Sequence, residues 1–598
     1  MNSKSVDAAS ARREAIYPLR FSIESPTVGS DNYSREPAIR TLIAFFEQKG
    51  LTALKEEDRN EQWYDDWLEF QATHRHYALL LTPKAYSGLG SEFDLLRYSR
   101  FLEVFAYFSP AHGYSLQVTF LGLCSILMGV NESLKREAVT LLEAGGLLAF
   151  GISERGHGSD LLGNEFKIAE RAPGCFVANG TKYYIGNANC ASMISILARK
   201  EDERSAGRAR RAPMVLFALR PQKSEGFRTA RKIRTLGVRA AFVGEFELKD
   251  HEFPEADLVA EGREAWDAVF GTVALGKFFL GFGSIGICEH AFEEAAAHLS
   301  GRMLYGKPAI EMPHIRATMV QAYCRLTAMK LYAYRALDYA QACSATDRRF
   351  LLFAAVQKAK LSTEGVKVIA LLSECIGAKG FESETYFEMA LRDVQLIPGL
   401  EGSTHINLGM TTQFVAAYLE NPDSDLKEPV SLAACERLAG ENPYLMELRT
   451  GAINTISFDH FLRAYRSFMS VPNVRLFVKS AKAFQLFIRH HSSDQASGAV
   501  TSATLALGRC LATIAYGQLI AENAACLDVP ILIVSAIFYS LVSDLNLAML
   551  SLASECEGVE FRQIPIQRLI AVPRITEEER DFISRLMTGT SEHHGRPE

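Results

Sequence analysis

The residues best suited to chemistry lie in three stretches of the chain. The first is Gly151-Ile152-Ser153-Glu154-Arg155-Gly156-His157-Gly158-Ser159-Asp160. Its glycines let backbone amides approach a ligand closely, and Ser153 and Ser159 place hydroxyls beside them. The same composition also describes a glycine-rich hairpin turn. His157 reads first as a pocket-lining loop residue and second as an acid–base group. The second stretch, Asn179-Gly180-Thr181-Lys182-Tyr183-Tyr184-Ile185-Gly186-Asn187, reads as a tight turn followed by an aromatic strand. The third is Leu400-Glu401-Gly402-Ser403-Thr404-His405-Ile406. Taken alone, Glu401 fits a turn carboxylate beside a helix start, because Gly402 and Ser403 are typical turn residues.

Other chemistries lack their signatures. No HExxH, GxSxG or P-loop pattern occurs, which removes metalloprotease, serine-hydrolase and ATPase readings. Gly281-Phe282-Gly283-Ser284-Ile285-Gly286 fits GxGxxG, but it sits inside a helical apolar pattern, Phe278–Leu299, with no strand before it. Close helix packing is the expectation there.

Four helical or β regions must position these residues. Residues 1–36 are polar and aperiodic and read as a flexible arm. Residues 37–145 carry helical spacing, as in Ile39, Leu42, Ile43 and Phe46. The texture then changes to short β-type runs across 146–255: Cys175–Ala178, Tyr183–Ile185, Met193–Ala198, Met214–Leu219 and Gly244–Leu248. Ala172-Pro173-Gly174 and Asn179-Gly180 read as the turns between them, and Glu201–Arg211 as an exposed hairpin loop. A small β-barrel or sandwich is predicted. Helical periodicity resumes over 256–420 as a bundle, 421–430 reads as a linker, and 431–598 as an extra helical domain. The predicted fold class is mainly α with a central β domain.

Composition sets the background. The 598 residues are 48% hydrophobic and 22% charged, the balance of a folded protein. A net charge of -6 argues against a nucleic-acid partner. The 11 cysteines show no CxxC pair and no metal spacing, so free thiols and no bound metal are expected. The N-terminus lacks the apolar core of a secretory signal. The apolar run Val529–Val542, bounded by Asp528 and Asp544, is too short to cross a bilayer and reads as a buried helix. A cytoplasmic location is the expectation. In the last domain Arg463, Arg466, Lys479, Lys482, Arg489 and His490 form a basic streak, read as a solvated face in preference to membrane contact.

The order of the motifs is more specific than any one of them. GISERGHGSD followed by NGTKYYIGNA strongly resembles the acyl-CoA dehydrogenase family. Further matches follow in order: Thr235-Leu236-Gly237-Val238-Arg239, Arg302 through Pro308, Gly377-Ala378-Lys379-Gly380-Phe381, then Arg392-Asp393 leading to Leu400–Ile406. The resemblance covers roughly residues 70–420 and implies the acyl-CoA dehydrogenase-like arrangement of helical, β and helical domains. The extra C-terminal helices resemble both the acyl-CoA oxidases and the longer dehydrogenases.

What the resemblance implies can be carried over position by position. Phe150, Ile152 and Ser153 match the strand lining the flavin of FAD, with Ser153 donating to the ring. Ser159 matches a contact to the FAD pyrophosphate and lies at the substrate entrance. Tyr184 matches an aromatic residue packed on the isoalloxazine, and Gly186 stands where a threonine hydroxyl meets flavin N5. Arg302 matches an arginine that pairs with FAD phosphates across a subunit interface. Glu374, Gly377, Ala378, Ser403 and His405 match positions around the adenosine half. Glu401 aligns with the catalytic glutamate that removes the α-proton of an acyl thioester while the flavin takes the β-hydride. That proton is weakly acidic, so its base must be close, desolvated and raised in pKa. Lys277, Leu400 and Gly402 are the further substrate-side positions.

The departures bear on specificity. Arg155 and His157 replace a proline and an alanine and would add charge at the entrance. A backbone amide or a water would substitute for the hydroxyl missing at Gly186. Pro313 replaces a glutamine near the adenine. Lys277 and Ala274 replace an arginine and an acidic residue, so the acyl group could arrive on coenzyme A or on an acyl carrier protein. The resemblance therefore implies a flavoprotein oxidoreductase of fatty acid and lipid metabolism, a homodimer or homotetramer that passes electrons to an electron-transfer flavoprotein. Two alternatives remain: an oxidase that releases peroxide, and a non-catalytic scaffold homologue.

Overall fold

In a computed structural model the described residues are 36–201, 213–420, 422–423, 425–432, 440–491, 501–555 and 571–588. The arm at 1–35 and most of the charged loop at 201–211 lie outside them. Six helices come first: α1 Pro37–Asn60, α2 Asp65–His74, α3 His76–Leu81, α4 Leu95–Phe108, α5 Pro110–Leu127 and α6 Glu132–Glu143. Local sequence starts them. Asp94 accepts the Arg97 amide at the start of α4, Ser109 accepts that of His112 with Pro110 at the first position of α5, and Asn131 caps α6. Nearly every side chain of α5 is buried, so it forms the seam between the helices and the sheet.

The sheet has eight strands: β1 Leu147–Gly151, β2 Lys167–Ala172, β3 Cys175–Gly186, β4 Ala191–Lys200, β5 Met214–Leu219, β6 Phe227–Lys232, β7 Val243–Pro254 and β8 Leu258–Glu261. Its order is β6-β7-β3-β2-β4-β5-β8, with β1 parallel to β4. The sheet folds over on itself. Phe217 of β5 and Phe253 of β7, far apart in strand order, stack with ring centroids 4.6 Å apart inside one closed core. Asn179-Gly180 is not the expected turn. The two predicted runs join in a single strand, β3, and the register against β7 shifts between Ala178 and Gly180. Gly180 (φ +149°) takes the bulge because a Cβ there would lie 2.5 Å from the Phe166 ring.

A helical bundle follows: α7 Arg263–Gly301, α8 Pro313–Gln341, α9 Phe350–Ile376, α10 Tyr386–Leu396 and the short α11 Thr404–Thr412. Gly281, Gly283 and Gly286 all lie within α7, remote from any strand end. A Cβ at Gly286 would stand 2.1 Å from the Glu103 carbonyl and one at Gly281 2.7 Å from Gln357, so the glycines let α7 press against α4 and α9.

The last helices are α12 Pro472–His491, α13 Ser502–Cys526, α14 Ile531–Glu555 and α15 Glu577–Thr588. Their apolar residues belong to the same core as the bundle, and buried ion pairs rivet the two together. Arg325 holds Glu364 and Asp544, while Arg335 holds Asp338 and Glu522. The stretch between the two regions is packed rather than free: Arg335 also binds the Pro429 carbonyl, and Asp338 accepts the Leu432 amide. The buried helix expected at Val529–Val542 is present as α14, and it continues past Asp544, which pairs with Arg325, for 25 residues in all. By length and composition α7, α13 and α14 could each cross a membrane, yet 78%, 78% and 61% of their apolar windows are buried inside the protein. Nine cysteines are described, and all are free.

Candidate active site

Glu401 sits in a tight turn whose every residue has a structural reason. Its own backbone is left-handed (φ +52°), as is that of Gly402 (φ +87°). Such a conformation is uncommon for a residue with a Cβ and marks positions where surrounding structure dictates geometry. Ser403 caps α11 by accepting the Ile406 amide, and Asn407 donates to the carbonyls of Gly402 and Ser403 at 2.9 and 3.0 Å. On the other side Lys358 donates to the Ile397 carbonyl at 2.6 Å and fixes the approach to the turn.

The carboxylate thereby points into the protein. Its Oε2 lies 3.4 Å from where a Cβ on Gly276 would be, close to the Leu121 side chain and the Gln117 amide nitrogen. Gly276 leaves that space open to the acid. Burial raises the Glu401 pKa to about 7 against the pull of the Lys358 and Lys277 ammonium groups. Both lysines are themselves buried, and desolvation lowers them to about 7 and about 8, with Glu401 opposing the shift. Apart from Glu401, the partner of Lys277 is the Met410 sulfur at 3.5 Å.

The opposite wall comes from the β domain. Glu154, buried, accepts the Glu165 and Phe166 amides and the Lys182 ammonium at 2.7, 3.0 and 2.9 Å. Lys182 also donates to the Ile152 carbonyl at 3.1 Å, so the glycine-rich stretch is tied to β3. Ser153 donates its hydroxyl proton to the Tyr183 carbonyl at 2.6 Å, so the expected donation from this hydroxyl to a flavin ring is not made in this arrangement. Next along β3, Tyr184 (φ +64°) lifts its ring outward and is 58% exposed. Gly186 ends the strand against Tyr114 and Val118 of α5. Asn187 fastens the join by donating to the Ser115 and Leu148 carbonyls and to the Thr119 hydroxyl.

The predicted site residues therefore divide into two groups. Gly186, through Tyr114, and Lys277 come near Glu401 in the turn formed by Leu400, Gly402 and Ser403; Ile152 and Ser153 are tied to the strand that carries Tyr184 and Gly186; Ser159 and His405 are exposed. Phe150 is buried in the main hydrophobic core instead of facing an open surface. Arg302, Glu374, Gly377 and Ala378 are exposed at the far ends of α7 and α9. Gly276 and Gly301 are 25 residues apart on one continuous helix, about 38 Å at 1.5 Å per residue. At that distant end Met303, Tyr305 and Phe381 are also exposed, at 59%, 98% and 89%.

His157 and Arg155 are less free than expected. His157 Nδ1 faces Asp160 at 3.2 Å, and Arg155 makes two 2.8 Å contacts with Glu245 while covering the Tyr183 ring. The motifs around Gly237 and Asp393 meet directly, with the Val238 amide donating to Asp393 at 2.7 Å. Sequence reasoning missed Tyr114, Gln117, Lys182 and Lys358. Tyr114, Gln117 and Leu121 share one face of α5 at helical spacing, but so does any core stripe.

This architecture, a folded-over sheet between a helical layer and a long helical bundle, defines a class of protein by itself. The family model for the acyl-CoA dehydrogenase middle domain matches residues 149–251, and that for the acyl-CoA dehydrogenase C-terminal domain matches 265–415. Over residues 149–415 the chain therefore carries the middle and C-terminal domains of the acyl-CoA dehydrogenase family. A cyclohex-1-ene-1-carbonyl-CoA dehydrogenase of Syntrophus aciditrophicus is 23% identical over 333 residues, 55% of this chain and 78% of that protein. The butyryl-CoA dehydrogenase structure of Megasphaera elsdenii aligns at 20% identity with a TM-score of 0.58, over 66% of this chain and 99% of that one. An acyl-CoA dehydrogenase of Bacillus anthracis, solved with FAD, aligns at 16% identity and a TM-score of 0.74 over 97% of both chains, so its fold extends through the C-terminal helices.

Proposed function

We propose that this protein is an FAD-dependent dehydrogenase that introduces an α,β double bond into an acyl thioester carried by coenzyme A or an acyl carrier protein. The observation that carries this reading is the Glu401 carboxylate, desolvated in a left-handed turn and facing Gly276 between two buried lysines.

The residues present fit the cofactor. Tyr184 offers an uncovered aromatic face, and nothing lies within 4 Å of the Cβ positions at Gly156 and Gly158, an open strip of backbone beside Ser159. Arg302, exposed and outside any ion pair among the described residues, suits a phosphate. Because Arg302, Glu374, Gly377 and Ala378 lie far from Glu401 in one chain, a second copy would bring them to the same FAD. The exposed Met303, Tyr305 and Phe381 favour that homo-oligomeric contact.

Bound FAD supplies the hydride acceptor. The chain does the rest. Glu401 takes the α-proton on a carboxylate that burial has made basic enough for the task. Lys277 and Lys358 keep the anion available by their positive charge. Tyr184 would order the flavin side, and the packed wall of Leu121 and Gln117 would exclude water behind the acid. Electrons would leave to an electron-transfer flavoprotein.

The test is anaerobic bleaching of bound flavin by a panel of acyl-CoA and acyl-carrier thioesters. Wild-type protein should bleach with at least one, and Glu401→Gln should retain FAD while bleaching falls by orders of magnitude. Unimpaired bleaching in that variant would remove Glu401 from its role, and a purified protein that takes up no FAD would refute the reading. Rapid peroxide release without an added acceptor would identify an oxidase instead.

A further inference from the structure

Gly186 is not a glycine of conformational necessity, since its φ is not among the positive ones. It is a glycine of space. A Cβ there would stand 2.7 Å from Cε1 and 3.2 Å from the hydroxyl of Tyr114, and 2.6 Å from the Val118 side chain. The phenol of Tyr114 therefore fills the volume that a side chain at position 186 would occupy, and its oxygen lies where a short hydroxyl side chain would reach. Neighbouring donors are already engaged: the Gln117 amide nitrogen with the Gly276 carbonyl, Ser115 with Tyr77 and the His112 carbonyl, and the Asn187 amide nitrogen with three acceptors. Among the described residues the Tyr114 hydroxyl has no hydrogen-bond partner. Burial and the negative charge of Glu401 keep its proton on the oxygen, so the hydroxyl is available as a donor toward an acceptor in the site.

Resting on the flavin reading above, we propose that the Tyr114 phenol is a catalytic residue of this site: it donates to the reactive edge of the flavin in place of residue 186, on the side facing Glu401. The substitution at 186 and the tyrosine at 114 are then one arrangement. A backbone amide or a water is not needed there, because the space is filled by the ring that carries the hydroxyl. Placing the donor on α5, whose Gln117 and Leu121 flank Glu401, ties the flavin edge and the base to the same rigid helix.

Three variants test this on the full-length, FAD-loaded protein: Tyr114→Phe, Gly186→Thr, and the pair Tyr114→Ala with Gly186→Thr. The readouts are the visible spectrum of bound FAD, the affinity of apoprotein for FAD, the melting temperature and the rate of anaerobic bleaching. Tyr114→Phe keeps the ring, so the melting temperature should hold. The flavin spectrum should change, FAD should bind about tenfold more weakly and bleaching should slow about tenfold, the effect of one lost hydrogen bond. Gly186→Thr alone should lose stability or FAD because its Cβ meets the ring, and the double variant should recover both the spectrum and the bleaching. An unchanged spectrum and affinity in Tyr114→Phe overturns the proposal while leaving the dehydrogenase reading intact. So does a Gly186→Thr protein indistinguishable from wild type. Wild-type protein without FAD overturns both.

Discussion

Lys182 and Glu154 form a fully enclosed ion pair, 2.9 Å apart, that joins the glycine-rich stretch to β3. Burial lowers the lysine to about 8 even with the carboxylate beside it. The pair is worth more for geometry than for net stability, since desolvating two charges cancels much of their attraction. Removing one partner is another matter. Lys182→Met leaves the Glu154 charge buried and unpaired, and is expected to cost about 3–5 kcal/mol. Glu154→Gln with Lys182→Met should recover part of that loss. Thermal unfolding of the single and double variants measures it, and FAD retention should fall with Lys182→Met because Ser153 and Tyr184 sit on the segments it joins.

The acid that does the proposed chemistry should show itself in pH. Glu401 must be ionised to accept a proton, and its pKa is pushed up to about 7. Below that value the reactive fraction falls tenfold per unit, so flavin bleaching should rise with pH and level off above about 7. An ordinary exposed glutamate would instead give a limb near pH 4. Stopped-flow bleaching across pH 5 to 9 separates the two. A flat profile from pH 5 upward would contradict the desolvated setting of Glu401.

Lys277 carries the next prediction, with the opposite reading of charge. Its ammonium favours the Glu401 carboxylate and so holds the pKa down. Lys277→Met removes that attraction, and the acid limb should move upward by about one unit. At pH 7 bleaching slows several-fold, whereas at pH 9 it returns toward the wild-type rate. A variant equally slow at both pH values would show that Lys277 acts on the substrate and not on the base.

Much of this was legible in the sequence, and the gaps have physical causes. The glycine spacing around Ser153 and the Glu401-Gly402-Ser403 turn survive as local features because turns and caps are specified by neighbouring residues. Asn179-Gly180 misled because the same dipeptide serves a hairpin turn or an in-strand bulge, and only the Phe166 ring decides between them. The length of α14 was hidden because the partner of Asp544 is Arg325, more than two hundred positions away. Tyr114, Lys358 and Lys182 were invisible for the same reason: each acts through a tertiary contact that no local pattern encodes. Arg302, Glu374, Gly377 and Ala378 align in order with the rest yet lie at the far ends of α7 and α9, because motif order fixes no distance along a helix.

The glycines of α7 allow a last prediction that concerns packing alone. Gly286 faces α4 so closely that a Cβ would stand 2.1 Å from the Glu103 carbonyl and 2.8 Å from the Tyr107 amide. These are backbone atoms, which cannot swing aside as a side-chain tip could. In a solvent-exposed helix, replacing glycine with alanine would stabilise by up to about 1 kcal/mol through helix propensity. Here the clash should win, because separating two close-packed helices costs about 1–3 kcal/mol or more in lost contacts. Gly286→Ala is therefore expected to destabilise in denaturant or thermal unfolding, while Gly283→Ala, whose Cβ would come no nearer than 4.0 Å to the Ala106 methyl, should be neutral or stabilising. Equal effects at the two positions would mean that α4 and α7 do not pack as closely as the structure shows. Loss of nucleotide binding without loss of stability would revive the fingerprint reading of this segment.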